Sequence, residues 1–328
     1  MLRFVLRRIA AAIALALVAA TLVFFLVESA PGEPGDLLLG DRPVPPEVRE
    51  RLERAYGFDR PAPERYLRWL LALAQGQLGW SHLRSRPVAA AIGDALPNTL
   101  LLAAGALAVN LAAGVLLGAL CAARRGRWLD RVVSASSLTL YALPTFWLGL
   151  MAVMLFAYGL ALFPASSMRS VGAESWGWMR QAADGLWHLA LPAVVLGLGS
   201  AALTLRLVRD GILRGLGEPW ARAARARGAG GGRLLLSHAL RCAALPLINL
   251  VGVSAPLLLS GSLVVEVVFA WPGMGRLAFD AIRAQDVPVV LATTLVATLA
   301  VALGSLAADL AMGALDPRIR LAGRPRTE

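Results

Sequence analysis

Gly217 to Pro246 reads GEPWARAARARGAGGGRLLLSHALRCAALP, an Arg-rich and Ala/Gly-rich stretch lying between two long apolar runs. Gly217-Glu218-Pro219 is a helix start. A proline at the first helical position loses no hydrogen bond, and an acid there faces the positive end of the helix dipole. Trp220 to Arg227 then alternates small Ala with Arg, so a short helix of little side-chain bulk is expected. Gly228, Gly230, Gly231 and Gly232 end it, and a second helix is expected near Arg233. The predicted product is a short helix lying across a membrane face between two spans. Composition leaves two readings open. Alanines permit close approach and an Arg fringe offers charge-assisted bonds, as a docking surface would; a basic loop that merely sets orientation would look the same.

The flanks are spans because the whole chain is apolar. Of 328 residues, 58% are hydrophobic and 16% charged, against about a quarter charged in soluble domains. Six runs can each cross about 30 Å of hydrocarbon as helices. They are Ile9–Val27, Thr99–Ala122, Val132–Phe163, His188–Leu205, Cys242–Val265 and Val287–Ala308. The fold class expected is an all-α integral membrane protein with six transmembrane helices. The first run follows Arg3, Arg7 and Arg8, exceeds the usual h-region and lacks a closing A-x-A site, so it reads as an uncleaved signal-anchor.

Six spans put both termini on one side, and charge selects it. Segments 1–8, 123–131, 206–241 and 309–328 hold 19 Arg against 6 acids, while 28–98, 164–187 and 266–286 hold 13 Arg against 15 acids. The Arg-rich set is expected in the cytoplasm. The net charge of +11 is thereby mostly an orientation signal. A nucleic-acid surface is disfavoured, since no basic run is interleaved with aromatics. All 32 basic residues are Arg, so no G-x-x-x-x-G-K-[ST] phosphate loop exists and ATP chemistry must belong to another polypeptide.

Four segments organise the chain: 1–28, the N-terminal tail and first span; 29–98, an extracytoplasmic loop with short helices at Pro46–Tyr56 and Glu64–Gln75; 99–315, a core of five spans that includes the inner loop 206–241; and 316–328, a cytoplasmic tail. Pro144, Pro192 and Pro256 are expected to kink their spans. Cys121 and Cys242 read as small apolar packing at the inner ends of spans. Glu28, Glu266, Asp309 and Arg206 stand at span ends rather than inside, which weighs against an ion-coupled secondary transporter. His82, His188 and His238 fall in three separate regions, so no metal site is expected from them. No cofactor is implied.

Several motifs carry a family resemblance. Trp220-Ala221-Arg222-Ala223-Ala224-Arg225-Ala226-Arg227-Gly228, followed by Ser237-His238-Ala239-Leu240-Arg241-Cys242-Ala243-Ala244-Leu245-Pro246, resembles the EAA loop of ABC importer permeases. The match is to the peptide/nickel branch, with Arg222-Ala223-Ala224 where the general pattern has Glu-Ala-Ala. Arg7-Arg8, Ala30-Pro31-Gly32-Glu33-Pro34, Tyr56-Gly57-Phe58-Asp59-Arg60-Pro61 and Gly76-Gln77-Leu78-Gly79-Trp80-Ser81 are similar to the same branch. So are Pro144-Thr145-Phe146-Trp147, the run from Val264 to Leu277, and Leu315-Asp316-Pro317-Arg318-Ile319-Arg320. The layout resembles the B-type subunit of a heterodimeric pair.

The resemblance implies a type I importer permease of a bacterial or archaeal cell membrane: a transport subunit, not an enzyme, forming half of a pathway. Its implied partners are a C-type permease, two cytoplasmic ABC ATPases and an extracytoplasmic substrate-binding protein, all assembled at the lipid bilayer. Glu218, Trp220, Arg222, Ala223, Ala224, Arg225, Ala226, Gly228 and His238 would form the ATPase-coupling loop. Glu266 ends the fifth span, and Trp271-Pro272-Gly273 is expected as an interfacial turn. That turn could be an outer gate or binding-protein contact, or it could simply cap the bundle. Di- or oligopeptides are the implied cargo, with nickel or glutathione as alternatives within the family.

Overall fold

A computed structural model describes residues 2–29, 60–81, 83–234 and 262–315, together with residues 47, 240, 243, 247 and 250. The expected helix over Pro46–Tyr56 apart from residue 47, most of the expected span Cys242–Val265 and the tail 316–328 lie outside the described residues.

Among the described residues, four helices are long and apolar enough to cross a membrane. They are α1 (Leu2–Glu28), α3 (Val88–Ala123), α6 (Trp178–Gly217) and α9 (Val287–Leu315). Between the first two lies α2 (Ala62–Ala74). Helices overshoot their apolar runs. The run starting at Thr99 sits inside a helix that begins at Val88, and His188–Leu205 sits inside Trp178–Gly217. Backbone hydrogen bonding continues past the hydrocarbon wherever no residue breaks it.

The run Val132–Phe163 departs from expectation. It folds as α4 (Trp128–Ala142) and α5 (Thr145–Ala152), the latter continued by a π-helical turn over Val153–Gly159. The two pieces are bent by 107°. Leu143 stands at φ −80, ψ 140 because the ring of Pro144 clashes with an α-conformation at the preceding residue. Pro144 then serves as the N-cap of α5, and its carbonyl accepts from the Leu148 N–H at 3.1 Å. Counting the bent pair as one crossing gives up to five spans among the described residues.

The chain divides into two compact units. In the first, Met1–Thr99 with Pro272–Ala302, the core joins Val88, Ala91, Ile92 and Ala95 to Leu277 and Ala281 of α8 (Met274–Arg283) and Val289 and Val290 of α9. A two-stranded hairpin, β1 (Trp80–Ser81) and β2 (Arg86–Pro87), pairs Trp80 with Pro87 and Ser81 with Arg86. Asp286 pins it, accepting from Ser81 Oγ at 2.6 Å and from the Leu83 N–H at 3.2 Å.

In the second unit, Leu100–Trp271 with Leu303–Glu328, α3 and α6 pack at unusually close range. A Cβ at Gly197 would stand 2.5 Å from the Ala106 carbonyl oxygen, and one at Gly114 would stand 2.4 Å from Thr204 Cγ2. The close approach lets Asn110 bridge the pair: its amide donates to Ser200 Oγ at 2.7 Å, and Thr204 Oγ1 donates to its carbonyl at 2.7 Å. Small residues and shared hydrogen bonds replace the hydrophobic effect between helices in lipid. Gly197→Ala should therefore cost about 1–3 kcal/mol through overpacking against backbone. Thermal denaturation of purified protein checks this. Gly199→Ala, where an added Cβ meets nothing within 4 Å, should change little.

Candidate functional site

The inner-loop segment folds as a distinct short helix on the end of the longest one. α6 runs 40 residues and stops where Glu218 turns extended, at φ −68, ψ 153. Pro219 opens α7 (Pro219–Ala226) at the first helical position, and the Glu218 carbonyl accepts from the Ala221 N–H at 3.1 Å. Ala221 is fully buried. Trp220, half-buried, packs on Ala122, Val208 and Ile212. One side of α7 is thus cemented to the C-terminal end of α6.

The opposite side is open. Arg222, Ala223, Arg225 and Ala226 are exposed, with Ala224 half-buried. Arg225 Nη2 reaches the Leu216 carbonyl at 3.4 Å. α7 terminates in a Schellman motif: the Gly228 N–H bonds Arg225 O at 2.9 Å and the Ala229 N–H bonds Ala224 O at 3.1 Å. Gly228 sits at φ +84, a conformation that only glycine adopts freely. Helix resumes at Gly231–Arg233. The expected short helix, its start and its glycine stop are all present. His238 lies outside the described residues.

Sequence reasoning missed what braces this element. Asp130 of α4 and Arg209 of α6 form a bidentate pair, Nε to Oδ1 at 2.9 Å and Nη2 to Oδ2 at 2.9 Å. The Gly126 N–H adds a third bond to Asp130 at 2.9 Å. Asp130 is 4% exposed. A signal existed: Asp130 is the one acid among the four arginines of 123–131. Cys121, on the same side of this unit, is a buried free thiol.

The Val264–Leu277 run is built differently from an interfacial turn. Helical residues 262–268 end in another Schellman motif, with the Trp271 N–H on Glu266 O at 2.8 Å and Ala270 at φ +49. Glu266 and Trp271 are both fully buried, and Ser262 Oγ donates to Glu266 Oε1 at 3.0 Å. Trp271 packs inside the second unit with Leu102, Leu189 and Phe269. Pro272 is exposed and Gly273 is buried; the Pro272 carbonyl accepts from Asn98 Nδ2 at 2.8 Å. In this conformation Pro272 alone of the four offers surface. Ala in the left-handed region costs roughly 1 kcal/mol, so Ala270→Gly should raise the thermal midpoint measured in detergent.

Other buried polar groups serve local structure. Asp184 accepts from the Ser170 N–H at 2.9 Å and Ser170 Oγ at 2.6 Å, tying the 164–177 segment to α6. His188 Nδ1 lies 2.9 Å from the Asp184 carbonyl. Among the described residues, no group of three or more His, Cys, Asp or Glu could hold a metal ion. What the site offers chemically is a small-residue face rimmed by cations, mounted on a long rigid helix.

Comparison with known proteins gives the family and the fold. Residues 114–321 match the family described as binding-protein-dependent transport system inner membrane component, and residues 1–103 match its N-terminal counterpart. The chain is 33% identical to the dipeptide transport system permease protein DppB of Escherichia coli K12, over 98% of this chain and 99% of that one. It is 34% identical to the oligopeptide transport system permease protein AppB of Bacillus subtilis, over 97% and 99%. A putative peptide permease protein of Brucella suis is 35% identical, over 98% and 100%. Among solved structures, the inward-facing MetNI methionine ABC transporter superposes with a TM-score of 0.53 at 20% identity, covering 69% of this chain and 96% of that chain.

Proposed function

Since the chain belongs to the family of binding-protein-dependent transport system inner membrane components, we propose that it pairs with a second, C-type permease subunit and forms half of a pathway for di- or oligopeptides. It is a multi-pass membrane protein and a transport component of an ABC importer, not an enzyme. Energy enters through two cytoplasmic ATPases, and an extracytoplasmic binding protein delivers cargo. The Arg-rich segments face the cytoplasm, with both termini.

The observation that carries the coupling role is α7 itself. Its Ala221–Trp220 side is fixed to α6, while Arg222, Ala223, Arg225 and Ala226 are exposed. We assign this face, from Glu218 through Gly228, to a groove on one ATPase. Closure of the ATPase dimer then displaces α6, because differential contact with two ATPase states is what biases the permease equilibrium. The extended family motif brings His238 into the same loop. Pro272, with Glu266, Trp271 and Gly273 behind it, is the candidate contact for the binding protein.

Peptide cargo is supported by the relatives, which are named as dipeptide and oligopeptide transport permeases. Purification through a tag on this chain should recover a second permease and two ATPase chains. Reconstitution of that assembly should accumulate labelled peptide only with ATP and the binding protein. Accumulation by this chain alone would overturn the proposal, and a binding protein that takes nickel or glutathione but no peptide would reassign the cargo.

A further inference from the structure

The described part of the 29–98 segment does not stand clear of α1; it runs back along it. Arg65 of α2 pairs with Glu28 at the end of α1. One residue on, the Tyr66 hydroxyl lies 2.6 Å from Thr21 Oγ1. Thr21 already donates to the Leu17 carbonyl, so Tyr66 is the donor of that bond. The Tyr66 ring lies 5.3 Å from Phe24, and Trp69 stacks on Phe24 at 6.4 Å. Trp69 and Leu73 then pack on the cluster of Ala16, Ala20 and Leu295. As α2 advances, its partners on α1 recede towards the middle of the span. The two helices are antiparallel and in register.

At 1.5 Å per residue, Ala20 and Ala16 lie roughly 12–18 Å below Glu28 along α1, close to half of a 30 Å hydrocarbon layer. α9 gives the same depth independently, since Leu295 lies roughly 12 Å along that helix from Val287. The chain then climbs back. Gly76, at φ +77, closes α2 with the Gln77 N–H on Ala72 O at 2.9 Å, Leu78 joins the Val88–Val289 cluster, and Gly79 lies against Pro288 at the start of α9. Raising α1 out of the bilayer cannot explain this descent. The apolar stretch between Arg8 and Glu28 is barely long enough to span, and lifting it by half would draw Arg7 and Arg8 into hydrocarbon.

We infer that α2 is a re-entrant helix, inserted to about the bilayer midplane, whose Leu67–Leu71 face is covered by the acyl chains of the leaflet on the Glu28 side. Leu67 and Leu71 are 59% and 64% exposed, close to the 67% and 73% of Leu22 and Leu26 on α1, so α2 shows bare leucine to the same degree as a helix long and apolar enough to cross the membrane. No charged side chain falls between Arg68 and Arg84. Arg68 reaches back to Glu64 at 3.1 Å, towards the polar end. The Schellman end satisfies the Gly76 and Gln77 N–H groups, as a turn at this depth requires; the exposed amides of Gln75 and Gln77 are its polar cost. The charges of α2, on Glu64, Arg65 and Arg68, occupy only its first half.

The test is spin-label accessibility at Leu67→Cys and Leu71→Cys, with Pro63→Cys as the reference, in the assembled transporter in nanodiscs with Cys121 and Cys242 replaced by Ala. Peptide uptake retained by cells carrying each variant verifies its folding. The oxygen-to-nickel-chelate collision ratio at both leucine positions should exceed that at Pro63 at least about tenfold, as expected for hydrocarbon. Ready access of the nickel chelate would overturn the proposal, because α2 would then be a solvated lid. Low access of both quenchers would also overturn it, because protein would then cover the face.

Discussion

Gly228→Asp should abolish uptake while leaving the chain in the membrane. The position has open space around it, with nothing within 4 Å of an added Cβ, so bulk is not the obstacle. One obstacle is φ +84, which even aspartate, among the L-residues that tolerate this region best, enters at some cost relative to glycine. The aspartate also places a negative charge at the negative end of the α7 dipole. Both effects unwind the Schellman turn that sets the direction in which α7 points. Asn tolerates the left-handed region and carries no charge, so Gly228→Asn should keep part of the uptake. Ala224→Glu should fail for a separate reason, since it adds bulk and an anion to the half-buried edge of the docking face. For the two disabling variants the expected loss is about tenfold or more, the scale on which a 1.4 kcal/mol bias operates. Uptake of labelled peptide, normalised to membrane-inserted protein, checks the set. Normal uptake by both Gly228→Asp and Ala224→Glu would remove α7 from the coupling path.

Asp130→Ala should be the most destabilising substitution near the inner loop. It strips Arg209 of both its bonds to Asp130 and leaves the Gly126 N–H unpaired. Breaking a buried pair costs about 3–5 kcal/mol. The Arg209 side chain is 26% exposed and retains Asp210 at 3.2 Å, so water recovers part of that. A loss of roughly 2–3 kcal/mol, lowering Tm by about 5 °C, is the expected result. Arg209→Lys should recover little, because a point cation cannot make the two parallel bonds. A Tm within 1 °C of wild type for Asp130→Ala, near the margin expected of a surface change, would show the pair to be ornamental.

The contrast between proline sites indicates how far sequence could go. Ala95-Leu96-Pro97, Ala142-Leu143-Pro144 and Ala190-Leu191-Pro192 are the same tripeptide. Pro97 and Pro192 sit inside continuous helices, whereas Pro144 marks a 107° break. Local chemistry is identical, so the surroundings decide. Leu191, Pro192 and Ala193 are buried in the core, which holds the helix straight despite the missing bond. Asn98, next to Pro97, donates to the Asp94 and Pro272 carbonyls, which ties this turn of the helix in place. Tyr141, Ala142 and Pro144 are exposed, and nothing there enforces continuity.

The short helix of the inner loop was legible because its start, its small residues and its glycine stop are all local signals. The burial of Trp271 and Glu266, the Asp130–Arg209 pair and the packing of α2 back along α1 are not local. Each depends on which distant segment comes alongside, and a polar residue at a span end reads the same whether water or protein surrounds it. Periodicity finds helices; it does not say which of their faces meets another.

The Asn110 clasp and the missing side chains at Gly114 and Gly197 leave α3 and α6 no room to slide past one another. They must tilt together as one strut. At 1.5 Å per residue, 40 residues make a rod of about 60 Å, so a five-degree swing imposed at the Glu218 end carries the Trp178 end through about 5 Å. If α7 is the point of attachment, a footprint of eight residues is long enough a lever to move the opposite end of α6.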